Sequence, residues 1–391
     1  MIPVRRWMAV AMLAAAIIVS PQHVRAQESK LARTWNKLQV WLDSLAVKKV
    51  DKNYIKHTDK PWRVSLRPKV EEFDMTVDAT IDHNYARAKG IKDIEEGGLK
   101  WGLHFDPPLA QSLGFYFGYR GLGIGYSVYL RNKTGKTLTL SSNGSRFGLN
   151  VRLRSFSTHD VMIDALFWGA ESEPLEIHSP GVTNDPIHLH SAIIDGYYIF
   201  NSRRFSQSAA YSQSVEQIRS AGSVILGAMY HQSSLDMASD HNALLVLLNG
   251  DVGKFSVQQL NIGVGYGYNW VPWRGWLFNV MFMPTVSLLN RVKSHFYDCN
   301  FQIFIDEETE EHKFFPPDGE WEDAVRIWEK ESVVNHGKIH LNADARASIT
   351  YTGQRFYVNV YGQLNSFNYN YAVTDVKLVD WYIRGSLGIR F

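Results

Sequence analysis

The 391-residue chain contains one cysteine, Cys299, which excludes an internal disulfide framework and a cysteine-rich zinc or iron–sulfur site. Surplus charge is nearly absent: 41 Lys+Arg stand against 39 Asp+Glu, so nothing favours nucleic acid as a partner. With 45% hydrophobic and 20% charged residues the chain is too apolar for disorder, and a mean hydropathy of −0.22 is too polar for a bundle of membrane helices. Phe255–Trp273 is long enough in principle for a helical span, with no charge over 19 residues. Yet Gly263, Gly265 and Gly267 recur there at every second position, the period of a strand. In a helix each would cost about 1 kcal/mol relative to alanine. What the chain does have is aromatic residues (13%) and 29 glycines, which point to a β protein.

The first 26 residues read as an export signal. Arg5 and Arg6 open it, an uncharged run follows from Trp7 to Val19, and Val24-Arg25-Ala26 places small residues at the cleavage positions. That run is 13 residues long, short of the ~20 a spanning helix needs. Cys299 lies far from the cleavage site, which argues against a lipidated N-terminus. Cleavage after Ala26 would leave 365 residues and, by removing Arg5, Arg6 and Arg25, lower the formal charge from +2 to −1. Leu31, Trp35, Leu38, Leu42 and Leu45 then fall at spacings of three and four. They predict a short amphipathic helix over Ser29–Lys48, inside a periplasmic segment spanning residues 27–60.

From Pro61 onward the period is two. Phe73, Met75, Val77 and Ala79 alternate with Asp74, Thr76 and Asp78, and Leu99, Trp101, Leu103 and Phe105 with Lys100, Gly102 and His104. Phe147, Leu149, Val151 and Leu153 alternate with Gly148, Asn150, Arg152 and Arg154. Ile339, Leu341, Ala343 and Ala345 alternate with His340, Asn342, Asp344 and Arg346, and Phe356, Val358, Val360 and Leu364 with Tyr357, Asn359, Tyr361 and Gln363. Several runs approach the ~9–11 residues that a tilted strand needs to cross a bilayer, whereas soluble strands usually stop near five or six. A barrel in lipid turns the apolar face outward; a soluble sandwich or barrel turns it inward.

Connection lengths favour lipid. Asn368–Val379, Arg291–Gly337 and Ser233–Lys254 read as long, and Thr352–Arg355, Val271–Gly275 and Ser157–Asp160 as tight, the asymmetry of outer-membrane barrels. Lys133–Ser145 reads as a longer Ser/Thr/Gly-rich loop, and Arg203–Ser220 as an intermediate connection that fits less well. The final strand has Val379, Trp381, Ile383, Leu387, Ile389 and Phe391 on one face, and resembles the signal read by the outer-membrane assembly machinery. The expectation is therefore an all-β, antiparallel transmembrane β-barrel over residues 61–391. It has about twelve strands if Gln111–Arg131 is one strand with a parity break at Gly121. If Arg120-Gly121 is a turn and Trp62–Leu66 a separate strand, the count is fourteen.

Asn201–Gly227, with Asp51-Lys52-Asn53-Tyr54-Ile55 and Pro61-Trp62, resembles the domain of unknown function 4421 family of Gram-negative outer-membrane proteins, over roughly Val50–Phe391. The pattern is carried by Phe205, Ser206, Ala209, Ala210, Gln213, Ser214, Gln217, Ser220, Ala221, Gly222 and Ser223. The resemblance implies a barrel with no assigned activity and supplies no catalytic residue. It implies that Arg203–Ser220 is structured, on the periplasmic side or folded into the barrel mouth.

No constellation makes a convincing enzyme. His231 and Ser233 point the same way on a strand, but do not obviously meet, and no third member can be named. His188 and His190 share a face without a further metal ligand. The acidic run Glu307–Glu311 lacks the pattern of a calcium loop. The glycines of Gly121–Gly125 and Gly263–Gly267 open no helix and read as strand glycines. No catalytic, cofactor or metal residue is assigned, and no cofactor is expected. The frames place Arg152, Arg154, Asp344, Arg346, Asp380, Arg384 and Arg390 in the lumen, as filling ion pairs or as an anion-tolerant lining. The expectation is a monomeric outer-membrane protein, non-enzymatic, with a structural or passive solute-transport role. Its partners would be lipid and, during biogenesis, the assembly machinery and periplasmic chaperones. A membrane-embedded lipid hydrolase and a soluble exported ligand-binding β-protein are the alternatives.

Overall fold

The computed structural model describes residues 50–82, 97–105, 109–131, 134–159, 161–169, 173–180, 183, 185–249, 251–301, 304–305, 312–313, 325–371 and 374–391. The export signal, the helix expected over Ser29–Lys48 and the acidic run Glu307–Glu311 lie outside these residues. Twelve strands form the barrel wall: β1 (Trp62–Asp82), β2 (Ala110–Tyr119), β3 (Leu122–Arg131), β4 (Thr134–Asn143), β5 (Phe147–Thr158) and β6 (Ile187–Ile199). The second half comprises β7 (Ala221–Asp236), β8 (Val252–Trp270), β9 (Trp276–Phe301), β10 (Leu341–Thr352), β11 (Phe356–Tyr371) and β12 (Thr374–Arg390). Each strand pairs antiparallel with the next, and β12 returns to β1 in register from Arg63↔Arg390 to Ala79↔Thr374. Closure leaves no open edge, the condition for a sheet to cross hydrocarbon, where each unpaired backbone group costs several kcal/mol.

The outer surface is apolar. Leu387 is 60% exposed, Phe282 58% and Val264 56%, and their neighbours on every second position continue the band. At the end carrying the tight turns, aromatic rings cluster: Trp62 against Phe117 and Tyr119, Tyr198 against Phe147 and Phe200, Trp276 against Phe278 and Tyr351. An apolar outer band bordered by aromatics, with short turns on that side, is an outer-membrane barrel, and the tight-turn end is periplasmic. Among the described residues no helix is long and apolar enough to cross a membrane.

The count of twelve stands, with a different composition. Gln111–Arg131 is two strands, β2 and β3, joined by a turn at Arg120-Gly121 where Arg120 takes φ 51°. Lys133–Ser145 is not a loop: most of it is β4, whose Thr139 and Ser141 line a polar interior, so the strand shows little apolar alternation. Trp62–Leu66 is the start of the 21-residue β1. Of Ser157–Asp160, the described Ser157, Thr158 and His159 lie at the outer end, ahead of an accessory strand, Met162–Gly169. Asn368–Val379 is mostly strand rather than loop, since β11 and β12 stay paired out to Tyr371↔Thr374.

Two alternating runs also face the other way. Phe73 and Met75 on β1, with Leu103 and Phe105 on the accessory strand Gly97–Phe105, are buried in an apolar cluster that fills the outer end of the barrel. Phe156, Leu189, Phe255, Phe367 and Leu378 join them, capped by Leu245 and Val246 from a helix of the β7–β8 connection. Alternation alone does not say which face meets lipid; here the interior itself is greasy at one end.

Two wall strands run past the barrel. The outer part of β1 pairs with Gly97–Phe105, which continues through Met162–Gly169 to Leu175–Pro180. The outer part of β9, Arg291–Phe301, pairs with Val325–His336.

The periplasmic mouth is filled by the β6–β7 connection. After a turn at Asn201–Arg204, Ser206 caps the short helix α1 (Gln207–Tyr211), its Oγ accepting from the Ala209 amide at 3.3 Å. Every residue from Phe205 to Ser214 is buried. Small polar side chains make this possible, because they fit inside the mouth and satisfy its backbone groups. Asn269 Nδ2 donates to Ser206 O at 2.9 Å, Asn359 Nδ2 to Ala210 O at 3.1 Å, and Arg390 Nη2 to Gln213 O at 2.9 Å. Beneath it, Ile55–His57 pairs antiparallel with Val215–Gln217.

Candidate functional site

Between the apolar outer layer and the periplasmic plug lies a polar layer with a cavity of about 90 Å³, room for several waters at ~10–15 Å³ each. Its origin is a mismatch of side-chain size around the wall. β2, β3 and β4 present Gly114, Gly125, Ser127, Thr139 and Ser141 to it, while β1, β5, β10 and β12 present Arg67, Lys69, Arg152, Arg346, Tyr382 and Arg384. Tyr211 of the plug contributes to the same lining. Small residues on one wall leave the space; long cationic ones on the other reach into it.

The ion pairs are unevenly distributed. Glu71 accepts from Lys69 Nζ at 2.7 Å and lies 3.5 Å from Arg154 Nη1. Asp380 holds Arg154 at 3.1 Å and also pairs with Arg152. Arg346 is held by Asp344 at 2.5 Å and Asp195 at 3.2 Å. Arg384 and Arg390, by contrast, have no carboxylate partner among the described residues, and neither has Arg67. Each stacks on a tyrosine instead, with guanidinium-to-ring distances of 3.4 Å for Arg67 on Tyr116, 4.9 Å for Arg384 on Tyr361 and 5.3 Å for Arg390 on Tyr357. Stacking offsets part of the desolvation cost of a buried cation, though less than a carboxylate would. The layer holds six cations (Arg67, Lys69, Arg152, Arg154, Arg346, Arg384) and four carboxylates (Glu71, Asp195, Asp344, Asp380), with Arg63 and Arg390 at the plug end.

The seven residues placed in the lumen from the strand frames thus separate into roles. Arg152, Arg154 and Asp380 meet across the barrel, Arg346 and Asp344 form a second pair, Arg384 lines the cavity and Arg390 holds the plug. Arg67, Lys69 and Tyr211 were not among them. Their signal was present for β1, where Arg63, Ser65, Arg67, Lys69 and Glu71 alternate with Trp62, Val64, Leu66 and Val70. On the final strand Ile383, Leu387, Ile389 and Phe391 face outward, while Val379 and Trp381 are half-buried.

The histidine candidates resolve differently. His231 Nε2 lies 2.8 Å from Ser233 Oγ, so the two do meet, and Tyr369 Oη is 2.5 Å from Nδ1. Both His231 and Ser233 are sealed inside the barrel, 0% and 2% exposed, with the His231 ring stacked on Phe367, out of reach of a lipid ester. His188 and His190 lie on the exposed face of β6, with His188 Nδ1 2.8 Å from Ser157 Oγ. Among the described residues no three His, Cys, Asp or Glu gather in a group that could hold a metal.

No curated protein matches the sequence. Among solved structures, the outer-membrane protease OmpT from Escherichia coli aligns with a TM-score of 0.35 at 8% identity, over 87% of this chain and 100% of that one. The translocator domain of the autotransporter NalP from Neisseria meningitidis aligns at 0.30 and 9%, over 92% and 97%. The toluene transporter TodX from P. putida aligns at 0.26 and 7%, over 89% and 94%. Likenesses this distant say nothing of activity. The model of a domain of unknown function, DUF4421, matches residues 49–391, which takes in the whole barrel, the plug and the Ile55–His57 ribbon beneath it. The chain belongs to the DUF4421 family.

Proposed function

We propose that this outer-membrane barrel is a gated route for a small polar solute, with the β6–β7 plug as the gate and no catalysis in its interior. The observation that carries the reading is the nature of the plug's contacts. Besides a small apolar patch where Ala209, Ala210 and Tyr211 pack on Leu277 and Tyr361, it is held to the wall by hydrogen bonds from Asn269, Asn359 and Arg390 to its backbone carbonyls, and Ser208 Oγ donates back to Asn143 O at 3.0 Å. Such bonds exchange for water at a net cost of about 0.5–1.5 kcal/mol each, so a polar plug leaves its seat far more readily than an apolar one of equal size. Phe205, packed with Ile225 and Met281 in a small apolar cluster, is the anchor about which it swings. The protein works as a monomer, and its C-terminal strand is the part the assembly machinery grips.

Planar-bilayer recording tests this. Wild-type protein is expected to be closed most of the time with brief openings. Asn359→Ala combined with Arg390→Gln loosens the plug and should raise the open fraction at least tenfold without changing the unit conductance. A double variant that keeps the heat-modifiable mobility of a folded barrel and stays silent at every voltage overturns the reading.

A further inference from the structure

We infer that the mid-barrel cavity is a binding site for a small oxyanion, of the phosphate or carboxylate class, held by Arg67 and Arg384. This names the solute class of the route proposed above and rests on that reading for its role, though binding is measured without it.

Three observations converge. Arg67 is more than nine-tenths buried and lines the cavity; its Nε donates to Ser65 Oγ at 3.2 Å, but its Nη2 meets no acceptor. Arg152 Nη1 and Arg384 Nε, on two other strands around the same cavity, are also buried without acceptors. The plug adds Tyr211, whose buried hydroxyl is likewise unpartnered. These are all donors, three of them on cations, so the missing partner is an acceptor bearing negative charge.

Charge leads to the same class. A buried guanidinium without an anion is among the most unfavourable arrangements a fold can keep, and the layer keeps six cations against four carboxylates. Asp195 faces the cavity too, but Arg346 at 3.2 Å and Asn150 at 2.8 Å already occupy it, so it neither neutralises Arg67 nor repels a ligand at full strength. Guanidinium forks match the oxygens of phosphate or carboxylate in pairs, which a halide cannot reproduce. The volume admits one such ion with a few waters. An oxyanion seated here would touch wall and plug at once, through Arg67 and Tyr211, so its arrival and departure are coupled to the gate.

The test folds the protein from urea into detergent with inorganic phosphate, acetate or glycerol present, so that the ion is at hand as the cavity forms. The readout is the temperature at which the fast-migrating folded band is lost. Phosphate or acetate is expected to raise that temperature saturably in wild type, whichever is stronger identifying the source, and glycerol is not. Arg67→Gln with Arg384→Gln should abolish the shift, whereas Arg67→Lys with Arg384→Lys should keep part of it. Ser127→Asp brings a carboxylate into the cavity and should abolish the shift in a barrel more heat-resistant than wild type without anion. The inference is overturned if neither anion shifts the folded wild type, if glycerol matches them, or if the glutamine variant responds as wild type does. A shift without conductance would retain this site and sink the gated route; conductance without a shift would do the reverse.

Discussion

Asp380 is the residue whose loss the barrel interior should feel most. It is fully buried and holds two cations, Arg154 at 3.1 Å and Arg152. In Asp380→Asn the shape is kept and the charge removed. Among the described residues Arg152 then has no carboxylate partner, and Arg154 retains only Glu71 at 3.5 Å, an acid already engaged by Lys69 at 2.7 Å. Removing one partner of a buried ion pair costs about 3–5 kcal/mol, because the remaining charge stays desolvated and unpaired. The asparagine carbonyl still accepts one hydrogen bond, which puts the expected loss near the lower end, ~3 kcal/mol. Urea titration of protein folded in lipid vesicles, followed by tryptophan fluorescence and by band mobility on gels, measures it. Adding Arg152→Met removes the orphaned cation, and the double variant should recover at least ~1.5 kcal/mol, a coupling of the size seen between contacting residues. If Asp380→Asn stays within ~0.5 kcal/mol of wild type, where ordinary surface substitutions fall, or Arg152→Met deepens the loss, the account of the interior as a charge network is wrong.

Two further outcomes follow from the cavity wall and the plug. A Cβ on Gly123 would stand 1.8 Å from Tyr116 Oη. Gly123→Ala should therefore displace the ring on which Arg67 stacks, lower stability by about 1–3 kcal/mol and weaken the phosphate-dependent shift. His57, in the ribbon beneath the plug, has a pKa lowered by burial first and then by Arg120 and Lys52. The unfolded chain therefore binds this proton more tightly than the fold does, so the ribbon is most stable above the ordinary imidazole range near ~6.5 and weakens as pH falls below it. Amide exchange at Val215–Gln217, corrected for its intrinsic pH dependence, should be faster at low pH, and His57→Gln should remove that difference.

The sequence showed the strands best where inside and outside differ most. On β10–β12 the outward positions are Ile349, Val358, Val360 and Leu387, and the inward ones are Asp344, Arg346, Asn359 and Asp380, so parity gives strand and frame, and the connection lengths then give the facing. Legibility failed where the interior changes character. At the outer end Phe73 and Met75 point into an apolar cluster, and alternation carries no sign for which side is lipid. On β4 the contrast is weak, because Thr137 and Thr139 take up no more polarity than a loop would, and the strand passed for one. Spacing showed the plug only as a segment that fitted neither a turn nor a strand; its place at the barrel mouth came from the family resemblance. The cavity was beyond a linear reading, since Gly125, Thr139 and Arg384 meet only when the wall has closed.

The two overlong wall strands have a consequence for what the cell surface displays. β9 contains 26 residues, more than twice the ~9–11 that a crossing uses, and its outer stretch, Arg291–Phe301, makes about 36 Å of ribbon at ~3.3 Å per residue. Paired with Val325–His336 from Arg291 to Phe301, the ribbon is a mast rather than a loop. Whatever reaches this cell from outside meets the mast's tip well before it meets lipid.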